Sequence, residues 1–195
     1  MTKVIIEDFC PSNKEEWSNW LERHHLIKEA VWLIVYKKKS PTSNLTWSES
    51  VDEALRFGWI DSLKKPIDDE KYRQYFSKRK ANSIWSKTNK DKIEALLEKG
   101  LMSEAGLKMV EIAKKNGSWS ILDAAETLEV PMDLARKFNE FPGSRDFFDS
   151  QSKSWRKSLL IWIAMAKRPA TREQRVLEIA ENAGQSLLPK TFRRA

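Results

Sequence analysis

Residues Val31 to Tyr36 read Val-Trp-Leu-Ile-Val-Tyr, a continuous run of β-branched and aromatic side chains that an extended strand accommodates far better than a helix. With no polar alternation, the run predicts a strand buried on both faces. Two further segments can join it. Trp59-Ile-Asp-Ser-Leu63 follows Gly58, which suits a left-handed helix cap. Lys71 to Ser77 sets Tyr72, Gln74 and Phe76 against Arg73, Tyr75 and Ser77, the period of a strand with one aromatic edge inward. Pro66 to Glu70 is the turn between these two. Helical signals flank the strands. Ser12-Asn-Lys-Glu15 has capping-box spacing ahead of Trp17, Trp20, Leu21 and His24, which predicts a helix over 13–25. Thr46 or Ser48 caps a second helix with Val51, Ala54 and Leu55 inward. So few strands make a small sheet, covered by helices mostly on one face: an α+β fold.

Beyond Asn82 the pattern turns helical. Thr88 or Asn89 caps a helix with Ile93, Leu96 and Leu97 inward, closed by Gly100. Ser103 caps the next, through Leu107, Val110 and Ala113 to Gly117, and a short helix follows Trp119. Pro131 opens a helix with Leu134 and Phe138 inward. A long amphipathic segment carries Trp155, Leu159, Trp162, Ile163 and Ala166. Pro169 breaks it, and Thr171-Arg-Glu-Gln174 has capping-box spacing before Val176, Ile179, Ala180 and Ala183. The tail from Gly184 reads as frayed. The expected division is an α+β domain over 1–125 and a helical C-terminal region over 126–195 packed on it. One continuous domain is the alternative.

Charge concentrates in one place. Between Lys71 and Lys92 stand eight Lys or Arg and one acid, Asp91, a balance equal to the +7 of the whole chain. Tyr72, Tyr75, Phe76 and Trp85 lie within it, and cations interleaved with rings can hold an anion or stack on a base. The loop Arg79 to Asn89 brings guanidinium, indole, amides and hydroxyls to a helix N-terminus, where free N–H groups favour anions. The competing reading is that Trp85 plugs the core while its neighbours cap. Asp61, within an apolar strand, needs a partner, because burying a carboxylate alone is expensive. Arg79 and Lys80 are the candidates, in a pocket or in a structural ion pair. The candidate binding set is therefore Trp59, Asp61, Arg79, Lys80, Trp85, Lys87 and Asn89. A second basic node, Lys167, Arg168, Arg172 and Arg175, stands at a helix junction.

Several chemistries lack their residues. The two histidines, His24 and His25, diverge as helix neighbours, and no Cys or carboxylate cluster has metal-ligand spacing. The six glycines never cluster into a phosphate loop, and no Gly-x-Ser-x-Gly occurs. No catalytic residue, metal or cofactor is assigned. No window of about 18 apolar residues spans a membrane. The N-terminal apolar run is short and followed by acids, which is not a signal peptide. The single Cys10 fits a reducing, cytoplasmic address, and Glu7 and Asp8 beside it disfavour a reactive thiolate.

Ala54-Leu-Arg-Phe-Gly-Trp-Ile-Asp-Ser62, Phe76-Ser-Lys-Arg-Lys80, Ser83-Ile-Trp-Ser-Lys-Thr-Asn89, Gly100-Leu-Met-Ser-Glu-Ala-Gly106, Gly117-Ser-Trp119, Trp162-Ile-Ala-Met-Ala-Lys167 and Thr171-Arg-Glu-Gln-Arg175 follow one another along the chain. In this ordered series the chain resembles the YdeI/OmdA family, described as bacteriocin-protection, YdeI or OmpD-associated. Lys78 is a departure, standing where relatives carry a proline. The N-terminal half looks like the YjbR/CyaY-like superfamily, a small sheet with helices on one face. The resemblance implies a bacterial protein of unestablished activity, linked to protection against bacteriocins or cationic antimicrobial peptides and to a porin. It supplies no catalytic residues. The leading expectation is a non-enzymatic binding protein with an anionic ligand, nucleic acid among the candidates. A small-molecule binder or enzyme with a pocket around Trp59, Asp61 and Trp85 is the rival, and a protein partner at the C-terminal helices is a third reading.

Overall fold

The structure is a computed structural model that describes residues 6–193. The N-terminal apolar run read above as no signal peptide lies largely outside the described residues. The chain divides into two compact units, Met1–Trp119 and Ser120–Ala195.

The first unit is α+β. It runs β1 (Asp8–Phe9), α1 (Lys14–His24), β2 (Ala30–Tyr36), α2 (Trp47–Arg56), β3 (Trp59–Pro66), β4 (Lys71–Lys78), α3 (Lys87–Glu98) and α4 (Glu104–Lys115). The strands form one sheet in the order β1-β2-β4-β3, with β1 parallel to β2 and the other pairs antiparallel. Strand β1 has no strand-like pattern of its own and was not expected. Pairing sets Val31, Leu33 and Val35 beside Phe76, Gln74 and Tyr72, all buried. Their alternates Trp32, Ile34, Tyr36, Arg73 and Tyr75 are only half-buried. The expectation that β2 is buried on both faces is thus corrected. Helices cover one face, so half of an apolar-looking run meets solvent.

The core beneath the sheet joins Trp17, Trp20 and Leu21 of α1 to Val51, Ala54 and Leu55 of α2 and to Trp59 and Phe76. The Trp17 indole N–H donates to the Ser50 carbonyl at 3.0 Å, so its one polar atom is satisfied inside. Capping fixes where the helices start. Thr46 and Glu49 form a full capping box on α2. On α1 the box is displaced by one residue: Asn13 is the cap, and Ser12 donates from N–H and Oγ to Glu16 at 2.7 and 2.6 Å. Ser86, not Thr88 or Asn89, caps α3. Ile93 and Leu96 of α3 and Val110 and Ala113 of α4 are buried, whereas Leu97 and Leu107, expected inward, are exposed. Helix α4 meets the end of α2 at Gly106, where a Cβ would stand 2.1 Å from the Arg56 carbonyl oxygen, so only glycine fits.

The second unit is helical: α5 (Asp123–Glu126), α6 (Met132–Phe138), α7 (Ser144–Ser150), α8 (Lys153–Ala164), α9 (Pro169–Gly184) and a 3-10 turn at Lys190–Phe192. Its own core joins Leu134, Phe138, Phe148, Leu159, Leu160, Ile163, Val176, Ile179 and Ala180. Helix α7 was not expected. The predicted box at Thr171 does not form, because α9 already begins at Pro169, whose fixed φ suits a first turn. Nor is the tail frayed as far as it is described. Phe192 packs edge-on against Trp155 and Trp162, at 5.9 and 5.5 Å between ring centroids.

Candidate functional site

Asp61 sits on β3 opposite Phe76, on the helix-covered face but at its margin, where it is half-buried. Its partners are not cations. The Trp47 indole N–H donates to Asp61 Oδ2 at 2.9 Å, and the buried Gln74 amide donates to the same oxygen at 3.1 Å. The expected ion pair with Arg79 or Lys80 does not form. A register shift between Asp61 and Lys64 adds one residue to β3, re-aiming Lys64. Its Nζ lies 3.9 Å from the Tyr72 ring centroid.

Trp47, Lys64 and Tyr72 line a cleft of about 740 Å³, together with Val35, Tyr36, Leu45 and the loop carrying Lys37, Lys38, Ser40 and Asn44. The loop is tied down. Asn44 accepts from the Tyr36 N–H at 3.1 Å and donates to the carbonyls of Ile34 and Pro11 at 2.9 and 3.1 Å. Lys37 Nζ donates to the Asp68 carbonyl at 2.7 Å. Glu49, the carboxylate on the cleft wall, is held by the Thr46 N–H and hydroxyl, which keep it below the ordinary carboxylate range. Burial, and secondarily the Asp61 charge, push the Tyr72 hydroxyl up, so it stays protonated at neutral pH. The walls are aromatic and aliphatic, and the rim carries ammonium groups and serine hydroxyls. Such a combination has the chemistry to hold a flat anion.

The residues singled out from the sequence separate. Trp59 is fully buried among Trp20 and its neighbours, its indole N–H donating to the His25 carbonyl at 3.3 Å. Trp85 is also in the core, 2% exposed. Neither offers a ring face to a ligand, which corrects the stacking role expected of them: large apolar rings next to a small sheet are recruited by its core. Arg79 is buried as well, at 6% exposed, with its guanidinium 3.6 Å from the Trp85 ring centroid. Its Nε is buried without a partner, and Nη1 reaches only the Ile84 carbonyl at 3.5 Å. Burial lowers its pKa to about 10, against a small opposing pull from Asp61. Lys80 is exposed, Asn89 is half-buried at the start of α3, and Lys87 holds both oxygens of Asp91 at 2.8 and 2.9 Å. Of the expected set, only Asp61 adjoins the cleft. Trp47, Tyr72, Lys64 and Gln74 were missed as site residues, because strand register and the turn into α2 bring them together.

The second basic node also divides. Arg172 makes a two-point contact with Asp133, at 2.7 and 3.1 Å, and Arg175 donates to the Trp162 carbonyl while lying over its ring. Burial raises the Asp133 pKa, but the Arg172 hydrogen bond and charge outweigh it and the net shift is downward. Lys167 and Arg168 remain exposed at the junction. His24 and His25 turn their Nδ1 atoms to the Trp20 and Leu21 carbonyls, at 2.7 and 2.9 Å, and among the described residues no three metal-binding side chains converge. Burial pushes the Cys10 thiol up. No helix among the described residues is long and apolar enough to cross a membrane.

No curated protein and no solved structure matches the chain. Two family models do. Residues 127–185 match the model described as Bacteriocin-protection, YdeI or OmpD-Associated, which supports the expected family over the second unit. Over the first unit, where a YjbR/CyaY-like half was expected, the model that matches is a different one, covering residues 9–109 and so more than half of the chain. By that match the protein belongs to the family described as a domain of unknown function, DUF8412.

Proposed function

We infer that the protein is a non-enzymatic binding protein whose ligand is a small, flat anion, held in the cleft beside Asp61. The observation that carries this reading is the Lys64 ammonium poised 3.9 Å over Tyr72 at a cleft of about 740 Å³. A ring entering there replaces water against the exposed Trp47, while its acid group meets Lys64 and the loop lysines. Asp61 orients Trp47 and is not itself a ligand-facing base. The description of the family matched over residues 127–185 supplies a physiological context, protection against bacteriocins, in which sequestering or sensing such a ligand would act. The cytoplasmic address belongs to the same proposal.

Anilinonaphthalene sulfonate, a flat aromatic anion with a fluorescent response, tests the site. Saturable one-to-one binding is expected. Lys64→Glu and Trp47→Ala should each weaken it about tenfold, corresponding to about 1.4 kcal/mol. Lys108→Glu, on the exposed side of α4, should leave it unchanged. Equal weakening by all three variants, or no saturation, would refute the reading.

A further inference from the structure

The opposite face of the same sheet carries a second site of different shape. Register places Trp32 opposite Tyr75, and Ile34 and Lys65 on either side of Arg73. Trp32 and Tyr75 meet edge to face with centroids 4.9 Å apart. The Arg73 guanidinium lies 4.7 Å, and Lys65 Nζ 5.4 Å, from the Trp32 ring centroid. The acid at this rim is Asp8, 3.5 Å from Arg73. The rings are half-buried, unlike Trp17, Trp59 and Phe76 on the core face. Rings and cations therefore alternate across this face of the sheet.

We propose that this face binds single-stranded nucleic acid. Every base has a π-face, so Trp32 and Tyr75 can each take one without reading its sequence, while Lys65 and Arg73 hold the flanking phosphates. A duplex hides its base faces in the stack and offers only edges and phosphates, so it would gain the charge contacts and lose the stacking. The face lies across the sheet from Asp61 and Tyr72 and is independent of the cleft. Here the basic and aromatic residues of β4 work through strand alternation, not through the loop at Arg79 to Asn89.

Fluorescence anisotropy of a labelled single-stranded oligothymidine of about 15 nucleotides tests this, with a duplex of the same length and an oligouridine in parallel arms. The single strand should bind at least about tenfold more tightly than the duplex, since stacking contributes about 1–3 kcal/mol per base. The uridine strand, which differs in the 2′-hydroxyl and the base methyl, should bind about as tightly, because stacking and phosphate contacts read neither, and loss of binding in this arm would count against the proposal. Two or three phosphates should give a log–log salt slope of about −1.4 to −2. Lys65→Glu and Tyr75→Ser should each weaken binding about tenfold, and Lys108→Glu should not. Circular dichroism checks the fold of Tyr75→Ser, and Lys65→Glu, at an exposed strand position, tests the site even if Tyr75→Ser unfolds. The proposal fails if nothing binds at low salt, if the duplex binds as well, or if Lys108→Glu weakens binding as much as Lys65→Glu. It also fails if light scattering shows a dimer that Lys65→Glu dissociates, because the face would then be a contact between copies.

Discussion

Trp47 and Asp61 are joined by a 2.9 Å hydrogen bond from the indole N–H to Oδ2, linking the first turn of α2 to strand β3. The bond holds a 46% exposed tryptophan in place at the mouth of the cleft. It also gives the strand carboxylate a neutral partner, with Gln74 as the second. Neutral donors satisfy a half-buried carboxylate without the rigid geometry that a buried ion pair demands.

Replacing Asp61 with Asn should therefore cost stability and loosen the cleft. Both donors meet one oxygen, so an amide can turn its carbonyl to them and keep both hydrogen bonds, but it lacks the negative charge that strengthens each of them. The expected loss is about 1–2 kcal/mol in urea unfolding. Trp47 should become more mobile, which NMR relaxation of its own indole N–H would show. Trp47→Phe should be the milder change, because Gln74 still serves Asp61. Equal stability of Asp61→Asn and the wild type would mean that the carboxylate has no structural role.

The cap of α2 predicts an acid response. The folded pKa of Glu49 lies below its ordinary value because the Thr46 backbone N–H and then the hydroxyl bond the ionised form. A depressed carboxylate adds stability above its unfolded pKa, near 4.5, and loses it as pH falls through the lower folded value. Glu49→Gln should accordingly flatten the loss of melting temperature below about pH 4.5. Thr46→Ala should cost about 1 kcal/mol at neutral pH. A Glu49→Gln melting curve parallel to the wild type in acid would contradict the assignment.

Arg79 gives a prediction of opposite sign. Its pKa of about 10 lies below the ordinary guanidinium value, so the folded state holds the proton less tightly than the unfolded one. The charge is then unfavourable to folding at pH 7, and the penalty is relieved only as pH rises through about 10 and above. The ring of Trp85 offsets part of that cost, by about 2 kcal/mol for a desolvated pair. Arg79→Met keeps the volume and removes the charge, so its stability should stay within about 1 kcal/mol of the wild type. Arg79→Ala opens a cavity over Trp85 and should lose about 2–3 kcal/mol. If Met is as damaging as Ala in chemical denaturation, the cation itself is required.

Elements were legible where a local pattern sufficed. The β2 run, the 72–74–76 alternation, the Thr46 and Ser103 caps and the apolar faces of α2 and α9 follow from side-chain chemistry within a few residues. Strand β1, two residues long, and α7, opened by Gly143 with a left-handed φ, have no such local signature. The site was read less well. The charge and rings of the segment from Lys71 are plain in the sequence, but the direction in which each of its four rings points is not. Alternation sends Tyr72 and Phe76 inward and Tyr75 outward, and the core takes Trp85.

By itself the sequence determined the α+β class, the small sheet, several helix starts and the concentration of positive charge, because caps, periodicity and charge act over a handful of neighbours. Tertiary structure alone decided which rings enter the core and which reach the surface, and which carboxylate meets which donor. Asp61 reaches Trp47 across 14 positions and Gln74 across 13. Trp32 meets Tyr75 only through β2–β4 register. Such pairings depend on strand order and on a one-residue bulge in β3, and a shift of one residue would turn every one of these side chains to the other face.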